Sequence, residues 1–415
     1  MKVLWFTNIA LPELSRVLGQ PPEVVGGWMS SLLDELKRRD DVELAVATSV
    51  AGQRAGTKHS VERVTYYSLP AERSRPMTLT PSFAAACKSV LDDFHPDLIH
   101  VHGTEEAYGR FTALLTSGPP VVVSIQGLIH VCARHVPGGI TLTDAAECGL
   151  PGVLSWLRFK LMQRQWVARG ESEREILAGN RHFIGRTAWD AAHLLSNNRN
   201  ARYYRCEELL RPPFYSRRWD VSTARRHSVF CTAAHSPLKG FHLVLEALSI
   251  LRHEFPEITV RVAGAPWDSR RGFGYYGRYL RALIDKLALG PHLVALPALA
   301  AEQVAEELAN AAAFVIPSLI ENSPNSLAEA MLVGTPCVAS LVGGVPSMIE
   351  NERSALGFPS GDAPSLAHCL RRVFRDDSLA TALSHAARTT ATARHDAAAV
   401  VASQLETYRR VASAP

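Results

Sequence analysis

Two doubly wound α/β domains are the architecture this sequence predicts. Short apolar runs of strand length alternate with helical stretches along most of the chain, as in parallel sheets whose connecting helices cover both faces. The alternation breaks once, in a polar and charged stretch over residues 205–227, and then begins again. With 415 residues, 47% of them hydrophobic, the chain is too long for one domain of ordinary size and long enough for two. The division expected is an N-terminal domain over 1–215, a C-terminal domain over 216–390 and a closing segment over 391–415.

Val3–Phe6 reads as a buried strand, followed by a long loop from Thr7 to Gly27 and a helix over Trp28–Arg39. Val42–Ala47, Asp97–Val101 and Pro120–Ile125 read as further strands, with helical periodicity over Phe83–Phe94 and Glu106–Leu115. A long amphipathic helix over Leu154–Ala178 sets Arg158, Lys160, Arg164 and Arg169 among Trp156, Leu157, Leu161 and Trp166. That pattern fits a packed helix with a solvated basic face, and also a surface for anionic lipid. Past the break, strands at Ser228–Ala233, Ile258–Ala263, Leu293–Leu296, Ala311–Ile316 and Cys337–Ser340 alternate with helices at Phe241–Glu254, Tyr279–Leu289 and Ala301–Ala309. From Pro364 onward the chain is helical and rich in Ala and Arg.

Composition narrows the function. A net charge of +4 from 44 basic and 40 acidic residues carries no footprint of nucleic-acid binding, while anionic small molecules stay open. Seven cysteines without a Cys-x-x-Cys pair argue against a disulfide framework and against a zinc site, and they suit a reducing compartment. No segment approaches the length that spans a bilayer. A cytoplasmic protein is expected, with peripheral contact at the inner face of the membrane left open by the basic helix.

The most informative stretch is Pro317–Ser340, which reads as the end of a strand, a polar loop, a helix and a second buried strand. Ser323 can cap a helix that has Pro324 at its first position, and Gly334-Thr-Pro336 ends it. Glu321 stands at the mouth of the strand and Glu329 about a turn and a half into the helix, so both can face a ligand at the helix N-terminus. Glycines and a lysine recur at other strand ends. Gly26-Gly27 opens a helix, Lys239-Gly240 follows the strand at Ser228, and Gly343-Gly344 follows the strand at Cys337. Each alone reads as a turn or a solvated charge; together, in order, they suggest a site that holds a phosphorylated ligand.

The run Glu321-Asn-Ser-Pro-Asn-Ser-Leu-Ala-Glu329-Ala-Met, with Gly334-Thr-Pro336 and Gly343-Gly344 behind it, resembles the E-x7-E signature of family-4 retaining glycosyltransferases. The resemblance extends over nearly the whole chain through Gly26-Gly27, Lys239-Gly240, a Gly357-Phe-Pro359 turn and a closing helix at Arg394-His395-Asp396. It implies a GT-B fold, two Rossmann-like domains facing across a cleft, with the C-terminal segment packing back toward the N-terminal domain. It implies a metal-independent, hexosyltransferase-like enzyme that needs no cofactor beyond its nucleotide-diphosphate sugar donor, a UDP-sugar first among these. The acceptor would be a glycan, glycolipid or secondary metabolite met by the first domain. Candidate acceptor surfaces there are the Thr7–Gly27 loop, the His130–Gly149 segment and the neighbourhood of Arg186, which either meets an anion or pairs with Asp190.

By resemblance, Glu329 would hold the ribose hydroxyls and Glu321 those of the transferred sugar, since an ionised carboxylate accepts two hydroxyl hydrogen bonds. Backbone groups at Asn322, Ser323, Asn325 and Ser326 would meet the sugar beside a helix N-terminus that favours phosphate. Lys239 would neutralise the leaving diphosphate, helped by the Gly26-Gly27 turn. The chain departs from the family pattern twice. Ala234 stands where members carry an arginine, which leaves His235 or an arginine elsewhere to meet the phosphate. Gln126 stands where many members carry a histidine, and it cannot take a proton, which suits a reaction in which the leaving phosphate oxygen is the base. His100 and His102, on a strand whose side chains alternate between faces, and His130 read as structural. An epimerase on the same fold, or a noncatalytic nucleotide-sugar or glycan-binding protein, are the alternatives.

Overall fold

The computed structural model describes residues 1–414 apart from 22–25, 52–55, 72–76, 233 and 268–273. The chain divides into two compact units, and the first comprises Met1–His130, Val167–Leu210 and His395–Pro415. Its strands are β1 (Lys2–Thr7), β2 (Glu43–Val50), β3 (Thr57–Val61), β4 (Val64–Pro70), β5 (Leu98–His102), β6 (Val121–Ser124), β7 (His182–Gly185) and β8 (Arg202–Arg205). They form one sheet in the order β3-β4-β2-β1-β5-β6-β7-β8, parallel throughout except where β3 folds back on β4. The order reverses at β1, whose Thr7 is in register with His102 at the end of β5. Ligands of open α/β sheets bind at such a reversal, beyond the carboxyl ends of the strands.

Apolar residues explain the centre of this sheet. Val3–Phe6 are all fully buried, and so are Leu98, Ile99, Val122 and Val123. The closing helix Ala397–Ala412 covers one face, where the Trp5 indole N–H donates to the Tyr408 hydroxyl at 3.0 Å. Elements that escaped the sequence reading are the polar or short ones. Edge strand β8, Arg202-Tyr-Tyr-Arg205, has both arginines exposed and no apolar run. The expected Thr7–Gly27 loop holds a helix at Pro12–Val17, and its residues 22–25 lie outside the described residues.

The second unit comprises Val131–Trp166 and Arg211–Arg394. Its strands β9 (Arg225–Cys231), β10 (Thr259–Ala263), β11 (Leu293–Leu296), β12 (Ala311–Ile316), β13 (Cys337–Ser340) and β14 (Leu356–Phe358) form a parallel sheet in the order β11-β10-β9-β12-β13-β14. Here the order reverses between β9 and β12. The strand expected over Ser228–Ala233 begins earlier, at Arg225, whose guanidinium reaches Glu307 at 3.0 Å, and it ends at Cys231; Ala233 lies outside the described residues.

Three sequence expectations change. Val131–Trp166 groups with the second unit and not with residues 1–130, because Phe159 is buried against Tyr276 and Tyr279, with ring centroids 6.2 and 6.4 Å apart, and Glu147 pairs with Lys286. The expected His130–Gly149 loop contains helices at Ile129–His135 and Leu142–Glu147. Arg394-His395-Asp396 is a junction and not part of one closing helix: one helix ends at Arg394, and Asp396 caps the next by accepting from the Ala399 N–H at 2.8 Å. Among the described residues no helix is long and apolar enough to cross a membrane.

Candidate functional site

At the reversal point of the second sheet, the loops after β9 and β12 are tied together by main chain. The Leu319 N–H donates to the Leu238 carbonyl at 2.8 Å. Lys239 ends a 3-10 turn, Pro237–Lys239, that is capped by the Ser236 side chain. The turn closes onto β12 because Gly240, at φ 67°, has no Cβ; one built there would stand 2.1 Å from the Pro317 carbonyl oxygen. This places the Lys239 ammonium 2.5 Å from Glu321 Oε1. The Ser318 hydroxyl donates to the same oxygen at 2.7 Å, and the Ser340 hydroxyl in turn donates to the Ser318 carbonyl at 2.6 Å.

Glu321 is fixed from behind as well. Gly344 donates its N–H to the Glu321 carbonyl at 3.0 Å, and Gly343, at φ 50°, lies so close that a Cβ would fall 2.0 Å from that oxygen. The predicted glycine pair therefore lets main chain approach closely, and what it approaches is the loop carrying Glu321. The carboxylate is left with Oε1 saturated, while Oε2 takes no hydrogen bond from any described residue.

Asn322 and Ser323 are buried beside it, and Asn325 and Ser326 form the first turn of the helix Asn325–Val333. The expected cap shifts by one residue. Pro324, with ψ 116°, is the N-cap and makes no side-chain cap, while the Ser323 hydroxyl points to Met348 Sδ at 3.6 Å. His235 is exposed, and partial desolvation by its neighbours together with the Lys239 ammonium holds its pKa below the ordinary histidine value against the opposing pull of Glu321.

Glu329 is buried and has a partner that sequence reasoning missed. Arg211 forks onto it, Nε to Oε1 at 3.0 Å and Nη2 to Oε2 at 3.1 Å, with the guanidinium 4.9 Å from the Phe214 ring. Burial pushes the carboxyl up to about 7, and Arg211 pulls the other way. The structure thus brings Lys239, Ser318 and Glu321 together and gives Glu329 a separate cation.

In the first unit, Gly26, at φ 80°, is the N-cap of the helix Gly27–Leu36 that follows β1. Gln126 lies just past β6, and its Oε1 accepts from Arg186 Nη2 at 3.2 Å. Arg186 is buried and pairs with Glu208, which corrects the expected pairing with Asp190. Asp190 instead caps its own helix, accepting from the Arg186 N–H at 2.9 Å and the Tyr203 hydroxyl at 2.7 Å. His100 and His102, two residues apart, share one face with ring centroids 3.7 Å apart. His100 bridges the Tyr408 and Ser124 hydroxyls at 2.7 and 2.6 Å, and burial drives its pKa down to about 3. His130 Nδ1 lies 2.6 Å from the fully buried Glu173 carboxylate, as a structural histidine should. His102, Gln126 and Arg186 line a small pocket together with Trp28 and Glu208.

Comparison with known proteins now bears on this geometry. The family model for glycosyl transferases group 1 matches residues 223–390, and that for the glycosyl transferase 4-like domain matches residues 29–204. The chain belongs to the GT-B glycosyltransferases. A putative colanic acid biosynthesis glycosyltransferase of Escherichia coli (strain K12) is 32% identical over 140 residues, and the match spans 32% of each chain, about a third of that relative's length. A sucrose-phosphate synthase from Thermosynechococcus elongatus is 17% identical and superposes over 99% of both chains with a TM-score of 0.72. HepE of Anabaena, solved in complex with UDP and glucose, is 16% identical over 99% of both chains with a TM-score of 0.69. In this GT-B chain sequence reasoning missed Arg211, Ser318 and Glu208; Ser318 stands only three residues before its partner Glu321, while Arg211 and Glu208 reach theirs through the fold. Arg211 and Glu329 are 118 positions apart, so no local signal marks them.

Proposed function

We propose that this protein is a retaining glycosyltransferase that moves a sugar from a nucleotide-diphosphate sugar, a UDP-sugar first among these, to a glycan or glycoconjugate acceptor. The observation that carries the reading is the Lys239–Glu321 pair at the reversal point of the second sheet, beside the N-terminus of the helix Asn325–Val333. UDP and glucose bound to HepE, a protein of like fold, support the choice of donor.

Each group has chemistry suited to a part of such a donor. Lys239 leaves Glu321 for the diphosphate and balances the charge that grows as the glycosidic bond breaks, with the helix N-terminus adding its dipole. Between them they supply the positive charge that a metal ion supplies in other transferases. Glu321, its Oε1 held by Ser318, turns its carboxylate to hydroxyls of the transferred sugar. Glu329 accepts from the ribose hydroxyls, with Arg211 favouring its ionised form against the burial that raises its pKa. Gln126, a neutral amide, orients hydroxyls without taking a proton, and the leaving phosphate oxygen accepts the proton of the acceptor on the face it departs from.

The test is transfer from a panel of UDP-, GDP- and dTDP-sugars by the parent, Lys239→Ala and Glu321→Ala, with the anomeric configuration of the product read by NMR. Loss of about 100-fold or more in each variant, of the size seen when one charge-stabilising group is removed, is expected. Parent-like rates in both variants would remove the site, an inverted product would remove retention, and an isomerised nucleotide sugar without transfer would replace transferase by epimerase.

A further inference from the structure

We infer that the outer face of the segment Leu150–Arg164 is a docking surface for an anionic lipid bilayer. This segment belongs to the helix Gly149–Gly179 and lies wholly within the second unit. Its inner face is settled by packing: Phe159 and Ser155 are buried, and the Trp156 indole donates to the Ile140 carbonyl at 3.1 Å. Its outer face is made of leucines. Leu150, Leu154, Leu157 and Leu161 are 71, 50, 53 and 44% exposed. Spacings of four, three and four residues put them in one ridge along the helix, roughly 16 Å long at 1.5 Å per residue. Single exposed leucines are ordinary, but an aligned row of four on one helix face marks a surface that something covers.

The charges around the ridge choose the partner. From Cys148 to Gly170 the chain contains no aspartate or glutamate, and it contains Arg158, Lys160, Arg164 and Arg169. At 3.6 residues per turn, Arg158 flanks the ridge on one side and Lys160 and Arg164 on the other. Lys160 and Arg164 are exposed; Arg158 is exposed too and lies with its guanidinium 4.9 Å from the Tyr275 ring. An apolar stripe bordered on both sides by long cationic side chains is built to lie in the headgroup region, with the leucines in the acyl boundary and the cations on lipid phosphates. A second copy of the same surface is a poor partner, because a two-fold contact brings cations against cations with no acid in the segment to meet them. The outward face thus carries the solvated bases that the sequence pattern predicts, with a leucine ridge between them.

The experiment is co-sedimentation of the full chain with vesicles of phosphatidylcholine alone and of phosphatidylcholine with phosphatidylglycerol, at low and high salt. The parent should pellet with the anionic vesicles, less so as salt rises, and stay largely in solution with the neutral ones. Leu154→Gln/Leu157→Gln/Leu161→Gln and, separately, Lys160→Glu/Arg164→Glu should each weaken binding to anionic vesicles by about tenfold or more, with circular dichroism unchanged. A parent that remains in solution with both vesicle types overturns the proposal, as does a leucine variant that pellets like the parent. A parent dimer in sedimentation equilibrium that the leucine substitutions dissolve overturns it in favour of a contact between copies.

Discussion

Replacing Arg211 by alanine tests the electrostatics of the site most directly. Glu329 is 7% exposed, and the forked guanidinium is the cation beside it. Removing one partner of a buried ion pair costs about 3–5 kcal/mol when the remaining charge has to stay ionised. Protonation offers a way out, so the loss should depend on pH. In the parent, burial raises the Glu329 pKa from 4.5 to about 7 even with Arg211 present. A carboxyl raised in this way contributes stability that is fully present below its unfolded pKa and is lost as pH rises through its folded pKa. Without Arg211 the folded pKa climbs higher, and the decline extends to higher pH. Urea unfolding of the parent and Arg211→Ala at about pH 5.5 and about pH 8.5 should therefore show a small gap at the lower pH and a gap larger by roughly 1–3 kcal/mol at the higher. Adding Glu329→Gln to the variant should remove the extra pH dependence. Stability profiles of parent and Arg211→Ala that run parallel across this range would falsify the assignment of the burden to Glu329.

Further outcomes follow from other contacts. Gly343→Ala places a methyl 2.0 Å from the Glu321 carbonyl at a left-handed φ, so it should cost about 1–2 kcal/mol and move the loop; a thermal-shift series with UDP should show weaker ligand stabilisation than in the parent, and an unchanged series would show that the loop tolerates the shift. Tyr408→Phe leaves the Trp5 indole N–H and His100 Nδ1 without the hydroxyl they share, which should cost about 1–3 kcal/mol in denaturant unfolding. Ser318→Ala removes one of the two donors to Glu321 Oε1 and should lower transfer more than stability, read as kcat/KM against the urea midpoint.

Much of the fold is legible in the chain because its causes are local. Apolar runs mark β1, β5, β6, β12 and β13, and Gly334, at φ 88°, ends the Glu329 helix where the sequence places the stop. Where the local pattern is faint, reading fails: β8 has no apolar run, and the hairpin β3–β4 begins with the largely exposed Thr57-Lys-His-Ser-Val61. Pro324 misled the cap assignment because a proline suits both the first helical residue and the extended residue before it.

The candidate site divides along the same line. Sequence alone determined that Lys239, Glu321 and the glycine pairs stand at successive strand ends and that Glu329 lies on the helix behind Glu321, since strand, helix and turn signals act within a few residues. Only the tertiary structure decided which of them meet. Lys239 reaches Glu321 across 82 positions because Gly240 lets one turn close onto another strand, and Glu329 is held by an arginine that carries no motif. The same holds for the long helix. Periodicity shows that it has two faces, but that leucines as well as bases look outward depends on what packs against Phe159, and Tyr276 and Tyr279 come from a distant helix. Local propensity sets where elements begin and end; burial against remote partners sets which side chains are left to act.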